Sequence, residues 1–187
     1  MEIKFKIETL GYIIAEFFFR NKRLKIGHSS SYGDKSQELL NNFFFIYEIV
    51  KNNNKHYFPY SFETLWEDDF INYLWKISID SPESFLEIKV YELYPSNLEH
   101  KVELINEKIK IENLFNSIYL SLEEAFVDFG FVGYKKNWEV GNFPIYEYIT
   151  LKAEKERIEL RNINKSDEEW KQKINVNDEL KVINSCG

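Results

Sequence analysis

The chain predicts an α+β fold, a mainly antiparallel sheet of about six strands with three helices packed on one side. Three observations predict it. The first thirty residues alternate apolar and polar side chains with a period of two, and the stretches 34–50 and 111–129 switch to three-and-four spacing. From residue 62 the alternation returns and lasts into the second helix. Strands and helices therefore come in blocks, without the strict alternation that parallel crossovers demand.

Ile3, Phe5 and Ile7 alternate with Lys4, Lys6 and Glu8, the mark of a half-buried strand. The run YIIAEFFFR (12–20) is β-branched and aromatic, and it leads through Asn21-Lys22 into RLKIGHSS. Leu24 and Ile26 alternate there with Arg23 and Lys25, so the two runs read as a hairpin with a tight Asn-containing turn. From Asp34 to Val50 the apolar positions Leu39, Leu40, Phe43, Phe44, Ile46, Tyr47 and Val50 describe a helix with a wide buried face. Asp34 or Ser36 caps its start and Asn52-Asn53-Asn54 ends it.

Ile71, Tyr73, Trp75, Ile77 and Ile79 define the next clean strand, and Asp80-Ser81-Pro82-Glu83 turns the chain. SFLEIKVYEL then runs back with Leu86, Ile88 and Val90 on one face, and HKVELINEKIKI makes one more strand. Ile111, Leu114, Phe115, Ile118, Leu122, Ala125, Phe126 and Phe129 hold helical spacing, with Gly130 in the place of a left-handed cap. A third helix is expected from Asn142 as N-cap, with Pro144 in its first turn, through IYEYITLKAEKERIEL. From about residue 162 the chain is a polar tail, in which SDEEWKQKI forms a short helix. Residues 1–187 read as one domain, a size that buries a sizeable core without disulfide or metal.

Composition narrows function. Twenty-four Lys+Arg against 31 Asp+Glu give a net charge of −7, which argues against nucleic-acid binding, where cations neutralise phosphates. The same sign suits a basic protein partner. The single cysteine, Cys186, allows no internal disulfide and points to a reducing cytoplasm. The opening MEIKFKIETL lacks the apolar core of a signal peptide, and no apolar run approaches the roughly 20 residues of a membrane helix.

The segment DFGFVGYKKNWEVGNFPI (128–145) opens with the letters that hold magnesium in protein kinases. Phe129 completes the second helix stripe and Gly130 ends it, while Gly133 and Gly141 bracket a compact turn holding Tyr134 and Trp138. The glycine-rich loop, strand lysine and catalytic Asp that a kinase needs are missing. His28, His56 and His100 are widely spaced and read as solvent-facing or strand-end residues, so no metal and no cofactor is expected.

The order of these elements resembles that of immunity proteins of bacterial polymorphic toxin systems. The resemblance rests on an early hairpin running into SSSYGDKSQELLNNFFFIYEI, then LWEDDFINYLWKISI, FLEIKV and FVDFGFVGYKKNWEVGNFPIYEYITLKA. It implies a cytosolic, stoichiometric inhibitor without turnover or cofactor, bound to one cognate toxin domain. The acidic surplus suits a basic toxin such as a nuclease. The candidate contacts are Trp66, Glu67, Asp68 and Asp69 of ETLWEDDF, together with Tyr134 and Trp138. Two other readings stand beside it. One is a small enzyme with a strand-end carboxylate site drawn from Glu63, Asp68 or His56. The other is a self-associating structural or adaptor protein, a homodimer seamed by exposed aromatics.

Overall fold

Each alternating stretch becomes an antiparallel strand. The computed structural model describes residues 2–19, 22–94, 97–160 and 176–185, and the chain falls into two compact units, Met1–Phe143 and Pro144–Gly187. The first unit holds β1 (Glu2–Thr9), β2 (Tyr12–Phe19), β3 (Lys22–Ser29), α1 (Lys35–Lys51), β4 (Tyr60–Trp66), β5 (Asn72–Ile79), β6 (Leu86–Tyr94), β7 (Asn97–Ile109) and α2 (Ile111–Asn137). The second holds α3 (Ile145–Lys155) and α4 (Val176–Asn184). The class is α+β as expected, with seven described strands in two sheets instead of six in one, and four described helices instead of three.

Register explains the core. In the three-stranded sheet β1-β2-β3, Ile3 faces Phe17, Phe5 faces Ala15, and Ala15 faces Ile26, which puts one apolar face on three strands. In the four-stranded sheet β4-β5-β6-β7, Trp75 faces Val90 and Val90 faces Ile105 on one side, with Ile77 and Ile88 beside them. The two faces meet through Phe5 on Trp66 (6.3 Å between ring centroids) and Phe17 on Trp75 (5.4 Å), and within the four-stranded sheet Trp66 packs on Trp75 (4.9 Å). Aromatic pairs of this kind contribute about 0.5–1.5 kcal/mol beyond the area they bury.

The helices of this unit flank two different strands, one in each sheet, and do not gather on one side of a single sheet. α2 runs along β1, whose outer Phe5 N–H donates to Ser121 Oγ at 3.0 Å while Lys4 pairs with Glu124. The edge of the first sheet is thereby covered, which removes a template for unwanted strand pairing. α1 lies beside β4, and the Tyr60 hydroxyl donates to Asn42 Oδ1 at 2.9 Å. Asp34 caps α1 as expected, its Oδ1 accepting from the Gln37 N–H at 3.0 Å. The turn expected at Asn21 falls on residues 20–21, outside the described residues.

Two expectations near the C-terminus need correction. Gly130 breaks the helix where expected, at φ 60°, ψ 179°, but a further helical stretch follows across the kink as far as Asn137. That conformation is open almost only to glycine, but it is not the left-handed cap the sequence suggested. Residues 131–137 are consequently helical where a turn was expected. α3 begins after Pro144, which stands at the N-cap in place of Asn142, and it stops at Lys155. Arg157 (φ 57°) takes the left-handed position past its end; the Ile158 N–H donates to the Ala153 carbonyl and the Arg157 N–H to the Glu154 carbonyl. This is a Schellman ending built on arginine where glycine is usual, so the periodic ERIEL misled by about five residues. In the tail, SDEEWKQKI lies outside the described residues, while α4 provides an unexpected helix with Val182 fully buried.

One buried charge organises the other face of the first sheet. Glu16 is 2% exposed on β2 and is met by Arg23 (2.6 Å), Lys6 (3.1 Å) and Lys25 (3.7 Å). Burial pushes its carboxyl up, but the hydrogen bonds and charges of Arg23 and Lys6 outweigh that and hold it below the ordinary value of 4.5. Because the folded state binds its proton more weakly than the unfolded state, this stabilisation is full above the ordinary value and is lost as pH falls through the lowered one. Glu16→Gln is therefore expected to lower stability by about 1–3 kcal/mol at pH 7. Urea titration from pH 7 to pH 3 should show the gap to wild type closing below about pH 4.5.

Candidate functional site

The segment ETLWEDDF places its residues in two opposite environments. Trp66, the last residue of β4, follows the strand alternation inward and is fully buried. Its indole N–H donates to the Lys35 carbonyl at 3.3 Å. Trp138 is 1% exposed, and its indole N–H donates to Asp34 Oδ1 at 3.1 Å. Both tryptophans are internal packing and present no side-chain surface to a partner, which corrects their reading as external anchors. Tyr134 is half-buried, edge-on to Phe143 at 5.4 Å; burial, and then the Asp34 charge, push its phenol above the ordinary value.

Between the two indoles lies His28, which sequence reasoning assigned to solvent or a strand end. It is the penultimate residue of β3 and is fully buried, 5.7 Å from the Trp66 ring and 5.9 Å from the Trp138 ring. Nδ1 is 3.1 Å from the Glu67 carbonyl, and Nε2 lies 2.9 Å from the Gly33 carbonyl and 3.3 Å from the Lys35 backbone nitrogen, of which the tautomer lets it engage one at a time. The Glu67 carbonyl also accepts from the Ser29 N–H at 3.2 Å. One imidazole thus fixes the end of β3, the loop after β4 and the entry to α1. No local sequence signal announces this, because every partner is distant in sequence or belongs to the backbone. His56 and His100 are exposed, as expected.

Outside this knot the three acids turn toward solvent. Glu67 and Asp68 are half-buried and Asp69 is exposed, followed by Phe70 at 82% exposure. The Tyr12 hydroxyl donates to Asp68 Oδ2 at 2.7 Å and the Tyr32 hydroxyl to Asp69 Oδ1 at 3.3 Å. Tyr12 reaches Asp68 by lying over Gly27, where any Cβ would collide with its ring. Burial and the Asp68 carboxylate push the Tyr12 phenol up; Tyr73 is raised by burial and then by Glu92 and Asp68, and Tyr94 first by Glu92. Loss of hydration, followed by Asp69, raises Tyr32. Asp68 or Asp69 thus contributes to the shifts of Tyr12, Tyr32 and Tyr73, and Glu92 to those of Tyr73 and Tyr94.

Several acids outside this patch are held by lysines. Glu8 pairs with Lys25, Glu38 with Lys35, Glu63 with Lys76, Glu87 with Lys89 and Glu124 with Lys4. Among the described residues, Glu67, Asp68, Asp69 and Glu92 form no ion pair. Of the carboxylates considered for a strand-end enzyme site, Glu63 is exposed and tied to Lys76 and Asp68 is tied to Tyr12, while His56 sits in a separate exposed turn. Among the described residues no cluster of three or more His, Cys, Asp or Glu is arranged to hold a metal, and no helix is long and apolar enough to cross a membrane.

No protein-family model, no curated protein and no solved structure matches this chain.

Removing the imidazole tests the knot. His28→Ala leaves a space between two indoles and removes the ring contacts with the Glu67 and Gly33 carbonyls, a loss expected to cost about 3–5 kcal/mol. Denaturant unfolding monitored by tryptophan fluorescence should show the midpoint falling accordingly.

Proposed function

We propose that this protein is a non-catalytic, cytoplasmic binding protein that neutralises a cognate toxin by stoichiometric attachment, in the manner of the immunity proteins its element order resembles. The observation that carries the reading is the gathering of uncompensated carboxylates, Glu67, Asp68 and Asp69 with Glu92 nearby, on a surface shared with Tyr12, Tyr32 and Tyr73 and with the exposed Phe70. Unpaired acids of one sign raise the local potential and speed the approach of a basic partner. Tyrosines with fixed hydroxyls add contact area at low entropic cost, and Phe70 offers an apolar anchor of the kind that dominates interface energetics.

A basic toxin domain, such as a nuclease whose substrate groove is lined by Lys and Arg, has the complementary chemistry. The buried Trp66 and Trp138 support the contact from behind, holding the loop that bears the acids. Tyr134 belongs to this inner support.

The test is co-expression with the product of the neighbouring gene, followed by affinity measurement on the purified complex; failure to co-purify would count against the reading. Glu67→Lys, Asp68→Lys and Asp69→Lys together should weaken binding on the order of ten- to hundredfold at low salt, mainly through the association rate. The same charge change at Glu2, Glu63 and Glu139 should leave binding within a few-fold of wild type. Equal effects from both triple variants would reduce the patch to a contribution of net charge alone.

A further inference from the structure

Two of the four sheet edges in the unit Met1–Phe143 have a helix beside them, β1 with α2 and β4 with α1, while β3 is met only at its end, where the Ser29 N–H donates to the Glu67 carbonyl. β7 is the longest strand at an edge: β6 pairs with one side of it, and among the described residues no other strand of this unit pairs with the other. An unpaired strand side presents a row of free N–H and C=O groups ready to receive another strand.

The sequence of that edge specifies what it fits. The pairing of β7 with β6 shifts between Val90↔Ile105 and Tyr91↔Glu103, so Leu104 forms a bulge and divides the strand. Before the bulge, His100, Lys101, Val102 and Glu103 are all exposed, Val102 to 38%. Laid antiparallel on itself about Val102, this stretch is self-complementary: Val102 opposes Val102, and each Lys101 opposes a Glu103. Centring the axis on Glu103 sets Glu against Glu, and centring it on Lys101 sets Lys against Lys. Directly opposed like charges destabilise a strand pair, so one register stands out.

We propose that β7 is a self-association edge, on which two copies of this chain pair antiparallel around a twofold axis at Val102, joining their four-stranded sheets into one of eight strands. The bulge confines the pairing to a short stretch, so the dimer is weak and concentration-dependent. The charges that keep an isolated edge soluble also select the partner, because Lys101 is satisfied only by a Glu placed as Glu103 is. This inference is independent of the toxin-binding reading, since Glu67, Asp68 and Asp69 take no part in it.

Sedimentation velocity on the full chain, across a wide concentration range at low salt, should show a monomer–dimer equilibrium. Lys101→Glu and Glu103→Lys should each weaken association at least tenfold, and the double variant, with the charges exchanged, should restore it. The side chains are exposed, so circular dichroism should show each variant folded. A second measurement covers poor behaviour of the charge variants: Val102→Cys combined with Cys186→Ser should give a disulfide-linked dimer under mild oxidation, since opposed Cα atoms in an antiparallel pair lie within bridging distance. A monomer at every concentration, a dimer indifferent to the single charge changes, a double variant that fails to recover, or absence of the cross-link would each overturn the proposal.

Discussion

The first unit depends on the burial of one imidazole between two indoles. His28 has no access to water, so its two nitrogens must be served by the protein, and the structure serves them with backbone groups of Glu67, Gly33 and Lys35. Gly33 and Lys35 belong to the entry of α1 and Glu67 to the loop after β4, so the imidazole ties the end of β3 to two other segments. Asp34 extends the knot: its Oδ1 accepts from the Gln37 N–H, capping α1, and from the Trp138 indole N–H 104 positions later. The packing there is tight enough that a Cβ at Gly141 would lie 1.9 Å from Asp34 Oδ2, so glycine is required for space and not for backbone angle.

This inner constraint determines what the surface offers. Because Trp66 must point inward to reach His28 and Trp75, the chain leaves β4 with its backbone fixed, and the next three side chains, all carboxylates, emerge at one place. Lysines pair with Glu63 across strands and with Glu38 along a helix turn; Glu67, Asp68 and Asp69 form no such ion pair. Tyrosine hydroxyls partly compensate, donating to Asp68 and Asp69, which fixes the carboxylates without cancelling their charge. Stability and binding potential thus meet in adjoining residues with opposite demands, a dry aromatic interior and a hydrated anionic exterior.

Much of the fold was legible because it depends on local periodicity. The strands 72–79 and 86–94 and the helix 35–51 follow from period-two and three-and-four spacing, and Asp34 was readable as a cap. What escaped depends on distance in sequence. His28 stands at a strand end, one of the two places expected for it, but nothing near it announces the two indoles that arrive 38 and 110 residues later and bury it. Trp66 and Trp138 were taken for surface anchors because an acidic neighbourhood and a glycine-rich segment look solvated, whereas strand alternation and the indole N–H bonds draw both inward. Gly130 marked a break in helical geometry but not its form, since a single residue type serves both a left-handed cap and a kink. The acids at 67–69 were legible as a patch; the tyrosines that frame it were not, because Tyr12 and Tyr73 reach it from other strands.

Amide hydrogen exchange on an Asp34→Ala variant tests most directly whether these segments form one mechanical unit. If the knot couples them, protection should fall together in the first turn of α1, in residues 131–138, and at the Ser29 amide bonded to Glu67. Loss confined to the first turn of α1 would show that Asp34 is only a helix cap, and that the indoles and the imidazole hold their places without it.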